Sequence, residues 1–328
     1  MNREWLRKAG IVLVVLVGIG LLAGTRYMDK KEQKQVEESV QNLQDQDKID
    51  MKKADLESQD QEWQRNLEKK KMGNKNVVIV SDNINQGVYQ TVYPRMKELG
   101  WKGVLVLTDG IVPRQQAEDV TKEQFDEMTE NGWDYAFSVS DTIDENGDMS
   151  GWLASLDKAV DKWTSAGIDN PGIAVCQVGQ YSEANQKNLK QELRARGFHA
   201  LIVICENEIS MEEEFEDSWN EMQSVLLRQD YSNVTTMMKS AMGEGKSMSI
   251  ALCKVTEQPK DTSRELTPAK FEQLVSQVQD MEDSGYQVLS YTEYEKDRKV
   301  TNEELAQMQS EYEAFLKDKE EKLKKLEE

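Results

Sequence analysis

Five acidic residues come directly after short apolar runs that we predict to be β-strands. They are Asp82, Asp109, Asp141, Glu206 and Glu208. In a barrel of parallel strands, residues at the carboxyl ends meet on one face, where such folds build their sites. Two suitably spaced carboxylates there could act as acid and base on a glycosidic bond, or could bind a hard cation. The opposing interpretation is incidental placement, because a chain with 61 Asp and Glu puts some in every loop.

A lysine and several aromatic residues offer a second chemistry, the binding of sugars. Lys254, near the end of a predicted strand, could hold an anionic glycan or simply extend into solvent. The aromatic candidates for stacking on sugar rings are Trp101, Trp133, Trp152, Tyr181 and Trp219. Their helical or strand-edge spacing favours core packing instead. Residues 144–148 suggest a calcium loop, but Gly147 would put Thr142 at the first ligand position, so the pattern fails.

Histidine and cysteine are too scarce and too scattered to indicate a metal centre. The chain has one histidine, His199, which we interpret as a strand-edge residue rather than a catalyst. Cys176, Cys205 and Cys253 each lie inside an apolar run, where cysteine behaves as a small buried hydrophobe. Without CxxC spacing they predict neither zinc nor a disulfide framework, and one extracellular disulfide remains as a minor alternative. We therefore predict no metal and no cofactor.

The elements that must position these residues alternate between apolar runs and amphipathic stretches. Seven strands are predicted, at 76–81, 103–108, 135–140, 172–178, 200–206, 248–255 and 286–291. Six helices are predicted, at about 86–99, 121–131, 150–166, 183–196, 212–228 and 266–284. Strands that are apolar throughout are covered on both faces, which is typical of a parallel sheet. Seven such repeats indicate an α/β barrel or a long doubly wound sheet.

The N-terminus carries an uncharged segment, residues 9–24, which follows Arg3, Arg7 and Lys8. This segment predicts an uncleaved membrane anchor with the basic end inside and the bulk of the chain outside. The alternative is a cleaved signal peptide, but a bulky leucine falls at the outer recognition position. Thr25 stands where a lipoprotein would need cysteine, which excludes lipid attachment there.

Two charged helices are predicted on either side of the α/β region. Residues 27–72 contain no Pro and only sparse apolar positions, with a break at Gly73. Val36 and Leu43 begin a coiled-coil seam whose next positions fall on aspartates, so a solvated stalk is favoured over a coiled-coil dimer. Residues 301–328 form a helix that packs on the domain or pairs with the stalk. The net charge of −20, with no basic stripe, argues against nucleic acid as a partner.

Three segments resemble the NodB-type polysaccharide deacetylase family. They are NVVIVSDNINQGVYQTVYPRMKELGWKGVLVLTDG, VGQYSEANQKNLKQELRARGF and KFEQLVSQVQDMEDSGYQVLSYTEYEK, which together span residues 76–296. The resemblance implies a distorted (β/α)7 barrel, and an ancestry in enzymes that remove acetyl groups from envelope glycans with a divalent metal. The resemblance also favours the barrel over the doubly wound sheet.

The residues that perform the family's chemistry are not all present in this sequence. The resemblance puts Asp82 at the base position and Asn83 at that of the metal-binding aspartate, while a one-residue shift would leave Ser81 and Asp82. The resemblance aligns Gln177 with the family's Arg-Pro turn, and Lys254 with the histidine that the family has near its final strands. The family needs two histidines four residues apart, and one histidine cannot supply two ligands. Asn and Ser are weak substitutes for imidazole.

Three functions from different classes remain open. The first is a membrane-anchored pseudoenzyme of the cell envelope that binds glycan or a protein partner without hydrolysing acetyl groups. The second is an active carbohydrate hydrolase that uses carboxylates alone. The third is a tethered scaffold that acts through its helices and self-associates through its stalk. The predicted segments are a cytoplasmic tail (1–8), an anchor (9–25), a stalk (26–72), the barrel (73–298) and a C-terminal helix (299–328).

Overall fold

The computed structural model describes residues 30–71, 75–113, 118–141, 143, 148–177, 183–205, 215–216, 219–228 and 232–327. The predicted anchor at 9–25 and the candidate residues Glu206 and Glu208 lie outside these ranges. Within them, no helix is long and apolar enough to cross a membrane.

Seven parallel strands close into a ring, which confirms the predicted (β/α)7 barrel. The strands are β1 (Asn76–Ser81), β2 (Gly103–Thr108), β3 (Asp134–Ser138), β4 (Ile173–Gln177), β5 (Ala200–Cys205), β6 (Phe215–Glu216), β7 (Trp219–Leu227), β8 (Met248–Leu252), β9 (Lys254–Val255), β10 (Glu265–Leu266) and β11 (Gln287–Leu289). The ring runs from β1 through β5 to β7 and β8, and β8 pairs back with β1 from Val77 to Ser81. The near-total burial of β1, β2 and β5 explains why their sequences are predominantly apolar.

The barrel is distorted where β1 shares one edge between two neighbours. Its first half, from Asn76 to Val78, pairs with β11, and its second half, from Ile79, pairs with β2. The seventh predicted strand, 286–291, therefore corresponds to β11, which lies beside the ring rather than in it. Its place in the ring is taken by β7.

The predicted helix at 212–228 is wrong, because residues 219–227 form β7. Trp219, Met222 and Val225 follow one another at a helical spacing of three. Both faces of this strand are covered, however, so eight of its nine residues are buried, including the polar Glu221 and Ser224. When every position is buried, apolar periodicity does not distinguish a strand from a helix.

The helices are α1 (Lys30–Lys71), α2 (Tyr93–Glu98), α3 (Lys122–Glu130), α4 (Ser150–Ser165), α5 (Glu183–Ala195), α6 (Ser232–Glu244), α7 (Pro268–Asp283) and α8 (Tyr291–Glu327). Helices α2 to α7 lie between strands along the chain, whereas α1 precedes the first strand and α8 follows the last. A π-helical turn, Val88–Val92, leads into α2. The sequence analysis missed α6. Trp101, Trp133, Trp152 and Trp219 are all buried in the core, while Tyr181 lies outside the described residues.

The first turns of α8 cover the amino-terminal end of the barrel. Tyr291 and Tyr294 have no exposed surface. Thr292 donates two hydrogen bonds to the carboxylate of Asp134, the first residue of β3, from its backbone N at 2.6 Å and from its Oγ1 at 2.8 Å. This end of the barrel is therefore sealed, and an opening for ligands must lie at the other end.

The chain divides into two compact units. The larger one comprises residues 67–308, and the other joins residues 309–327 to the described residues up to Asn66. In this second unit the Trp63 ring lies 6.2 Å from that of Tyr312. Asp60 accepts hydrogen bonds from Tyr312 and Lys319, and these bonds hold the pKa of its carboxyl below the usual value. The stalk therefore pairs with the C-terminal helix of the same chain.

Candidate functional site

A cavity of about 410 Å³ opens at the carboxyl ends of β1 and β2. We call it the mouth cavity. The residues that line it are Asn83, Ile84, Asn85, Val106, Thr108, Ile111, Glu118, Asp119, Lys254, Asp261, Arg264 and Glu265. One part of its wall is aliphatic, and the rest carries charge of both signs. Concave sites of this size with a few convergent polar groups are typical ligand sites.

The turn after β1 forms the first wall of the mouth cavity. The Ser81 Oγ donates to the Asn83 carbonyl at 2.8 Å, and the Asn85 Oδ1 accepts from the Gly87 backbone N at 2.7 Å. Asn83 Oδ1 accepts from both nitrogens of Asn85. Side chains of this type satisfy the backbone of tight turns. The amide of Asn83 is thus already used to shape the turn.

Gly87 is required by close packing rather than by an unusual backbone angle. Its φ of −62° suits any residue, but an added Cβ would lie 1.9 Å from the Val255 carbonyl oxygen. We expect Gly87→Ala to destabilise the fold by about 1–3 kcal/mol, because the turn must move away from β9. Urea denaturation measures this change. Gly151→Ala, at a helical glycine with open space, is the control and should stabilise by up to about 1 kcal/mol.

If Gly87→Ala does not lower the free energy of unfolding, as Gly151→Ala is expected not to, then the turn and β9 are not in contact.

Lys254 lies between two carboxylates on the opposite wall. Its Nζ is 3.0 Å from Glu118 Oε2 and 3.9 Å from Glu265 Oε1. The Glu265 carboxylate also accepts from the backbone nitrogens of Lys260 and Asp261, which lowers its pKa. The charge of Lys254 is therefore balanced by the protein. Binding of an anionic glycan would instead need a cation without a carboxylate partner.

Asp82 sits behind this wall, where β1 ends. Its backbone N donates to the Leu252 carbonyl at 3.0 Å, which places it between β1 and β8. Burial raises the pKa of its carboxyl to about 6, although the charge of Arg264 acts in the opposite direction. A carboxyl with this pKa can release or accept a proton near neutral pH.

Asp109 and Asp141 do not join Asp82. Asp109, in a left-handed conformation with φ of 56°, accepts from the backbone N and Oγ of Ser140, both at 2.7 Å. Asp141 is exposed and bonds the Ser155 hydroxyl of α4. Gln177 is the exposed last residue of β4 and does not line the mouth cavity. Among the described candidates, only Asn83 and Lys254 line the mouth cavity, and the charge of the lining residue Arg264 acts on Asp82.

Among the described residues, neither histidine nor cysteine lines the mouth cavity. The amide oxygen of Asn83 is held by Asn85, and His199 lies just before β5, at the amino-terminal end of the barrel. Within the described ranges, no three His, Cys, Asp or Glu side chains come together closely enough to hold a metal. Zinc prefers nitrogen and sulfur ligands in near-tetrahedral geometry, and the three cysteines are buried in or next to strands. The residues do not fit the metal of the family.

His199 is half exposed and forms an ion pair with α8. Its Nε2 lies 3.3 Å from Glu295 Oε2, and this hydrogen bond raises the imidazole pKa. Because the folded pKa is raised, the pair contributes stability below the unfolded pKa of about 6.5 and loses it as pH rises through the folded pKa. Its position confirms a strand-edge residue.

The His199 ring should titrate above its ordinary pKa, and Glu295→Gln should lower that pKa. Proton NMR follows the ring without ambiguity, because the chain has one histidine. Glu303→Gln, at an exposed position further along α8, is the matched control and should leave the titration in place. If the pKa of His199 is unchanged in Glu295→Gln, the ion pair between the two side chains does not form.

The sequence analysis missed all the charged lining residues except Lys254. They are Glu118, Asp119, Asp261, Arg264 and Glu265. Glu118 and Asp119 reach the cavity because the backbone of Val120 and Gln86 joins their loop to the turn after β1. The density of charge at 257–265, directly after Lys254, was the available signal for the others.

The three cysteines are free and buried. Burial raises the pKa of the Cys205 thiol to about 11 and that of Cys253 to about 12. The pKa of Cys176 is raised further by the same cause. Such thiols are inert as nucleophiles or metal ligands.

Solved structures of similar fold include polysaccharide deacetylases. The Xyl-CE4 domain of a multidomain xylanase from the hindgut metagenome of Trinervitermes trinervoides is 13% identical, covering 69% of this chain and 92% of that one, with a TM-score of 0.40. Peptidoglycan deacetylase PdaC from Bacillus subtilis is 12% identical, covering 72% and 96%, with a TM-score of 0.43. A DAHP synthase from Thermotoga maritima, at 14% identity over 65% and 70%, has a TM-score of 0.35. Likeness at this level does not extend to a ligand or an activity.

No protein-family model and no curated protein sequence matches the chain.

Proposed function

We propose that this protein is a membrane-anchored, catalytically degenerate polysaccharide deacetylase-like barrel that binds a cell-envelope glycan at the mouth cavity. A protein partner is the alternative occupant. One observation carries the loss of catalysis: the single imidazole of the chain lies at the sealed end of the barrel, opposite the mouth. A metal-dependent deacetylase needs imidazole at the mouth, and this sequence has none to place there.

The walls of the mouth cavity support a sugar ligand. Ile84, Val106 and Ile111 offer an aliphatic surface for the apolar face of a sugar ring, and charged side chains opposite can receive hydroxyl groups. The volume of about 410 Å³ suits one or two sugar units rather than a protein loop of any length. These features favour the glycan over the protein partner.

The proposed location rests on the sequence. The uncharged residues 9–24, after a basic start, support a single-pass anchor with the barrel outside the cytoplasm. The charged helix α1 then acts as a spacer of 42 residues. Self-association through this stalk is part of the proposal, and sedimentation of the chain with and without residues 28–72 would test it.

Binding of the full chain to peptidoglycan and to chitooligosaccharides tests the glycan ligand. Lys254→Ala should weaken binding about tenfold, because it removes a donor at the cavity wall worth roughly 1.4 kcal/mol. Lys246→Ala is the control, since Lys246 precedes β8 at the opposite end of the barrel and forms a similar ion pair with Glu244. Equal binding by both variants, or no binding by the unmodified chain, would contradict the proposal.

A hydrolase that uses carboxylates alone is the second candidate, favoured by one observation. The raised pKa of Asp82, at about 6, suits a general acid. Release of new reducing ends from peptidoglycan or chitooligosaccharides, abolished by Asp82→Ala, would establish it. The absence of such release from the unmodified chain would leave binding as the function.

A further inference from the structure

The charges that line the mouth cavity are not balanced. Four carboxylates line it, from Glu118, Asp119, Asp261 and Glu265, against the two cations Lys254 and Arg264. Lys254 is shared between Glu118 and Glu265. The charge of Arg264 acts on Asp82 and on Asp261. Both cations are therefore engaged with other carboxylates, although the charge of Lys254 also acts on Asp119.

Among the four carboxylates, Asp119 is the one whose Oδ2 is fully enclosed and has no hydrogen-bond partner among the described residues. Burial and the neighbouring Glu118 raise its pKa, and the charge of Lys254 offsets this only in part. An enclosed carboxylate oxygen without donors is costly, because its desolvation is not repaid. The side chain as a whole is partly exposed and lines the mouth cavity, so a cation there lies within reach of a charge that is only partly compensated.

The backbone of Asp119 is held against the turn after β1. Asp119 forms a backbone bridge with Asn85, and its carbonyl accepts from Gln86 Nε2 at 2.6 Å. Val120 N donates to the Ile84 carbonyl at 2.8 Å. Ile84 is also part of the aliphatic wall, so Asp119 lies beside an apolar surface. A ligand that satisfies the site therefore combines a positive group with an apolar face.

We infer that the mouth cavity selects an amino sugar whose nitrogen is free and positively charged, with its ammonium group near Asp119 and its ring against Ile84. This inference rests on the proposed glycan-binding function and names the glycan. An N-acetylated sugar would bring a neutral amide to the same place and would leave the Asp119 charge unpaired. The selected ligand is thus a glycan that has already lost acetyl groups, and the reaction that supplies it is a deacetylation carried out by another protein.

Calorimetry with the full chain, in buffer containing EDTA, tests the preference. The two probes are fully deacetylated and fully N-acetylated glucosamine tetramers. We expect the deacetylated tetramer to bind at least about tenfold tighter. Asp119→Asn should remove that advantage and leave the affinity for the N-acetylated tetramer unchanged. Asp283→Asn removes one equivalent charge from the exposed end of α7, distant from the cavity, and should leave both affinities unchanged.

The outcomes separate the two proposals. Equal affinity for both tetramers, or an advantage that survives in Asp119→Asn, would overturn the amino-sugar inference and leave glycan binding in place. Binding of neither tetramer would overturn both. A drop of the same size in Asp283→Asn would show a long-range charge effect and would also overturn the inference. Circular dichroism of each variant establishes that the fold is intact.

Discussion

Acetate release by the purified chain should stay at the level of a protein-free blank, even with zinc or cobalt added in excess. A bound metal contributes to such hydrolysis by polarising the carbonyl and by generating hydroxide at neutral pH. The loss of that contribution removes many orders of magnitude in rate. At the mouth, Asn83, which the resemblance aligns with a metal-binding aspartate, is held by Asn85, while His199 lies at the other end of the barrel.

The assay uses chitooligosaccharides and peptidoglycan, with acetate measured enzymatically and bound metal measured by mass spectrometry. Asp82→Ala provides the matched control, since it removes the remaining acid at the base position. The unmodified chain and the variant should be indistinguishable. Stoichiometric zinc or cobalt together with acetate release that depends on Asp82 would contradict the degenerate site.

The largest effect on stability is expected from Tyr294→Ala. The Tyr294 ring has no exposed surface and lies 6.0 Å from that of Tyr291 inside the sealed end of the barrel. Deletion of a buried aromatic ring costs about 3–5 kcal/mol, through lost burial and the cavity that remains. The ion pair between Lys102 and Glu293 holds the same turn to the start of β2. It keeps the helix in place, so the cavity should not collapse easily.

Two controls accompany the Tyr294 measurement, which uses urea denaturation of the full chain. Tyr294→Phe keeps the ring and should lose no more than about 1.5 kcal/mol. Val300→Ala changes an exposed residue of the same helix and should have almost no effect. A loss below about 1 kcal/mol for Tyr294→Ala would mean that the start of α8 is not packed into the barrel.

The barrel was predictable from the sequence because most of its strands carry their own signal. β1, β2 and β5 are apolar throughout and rich in branched residues, and all are covered on both faces. β7 was not predictable, since its buried polar residues Asn220, Glu221 and Ser224 interrupt the apolar run. Their burial depends on neighbours that are distant in sequence, so no local pattern distinguishes the strand from a helix.

The candidate site was only partly predictable, for a different reason. The rule that strand ends meet on one face led to Asn83 and Lys254, which line the mouth cavity, and to Asp82, which precedes Asn83. It failed for Asp109 and Asp141, because nearby serine hydroxyls bind both carboxylates. Which carboxylate a hydroxyl captures depends on side-chain geometry within a few ångströms. Asp119 was missed because it follows its strand by eleven residues and returns to the cavity through backbone pairing with Asn85.

The free thiols give the barrel a built-in reporter of its own opening. Cys176 and Cys205 belong to the adjacent strands β4 and β5, whereas Cys253 directly follows β8. Since all three are enclosed, an alkylating reagent reaches them only while the wall that covers them is transiently separated. Mass spectrometry of the adducts would distinguish local opening beside β4 and β5 from local opening beside β8. Simultaneous labelling of all three thiols would indicate that the barrel opens as a whole.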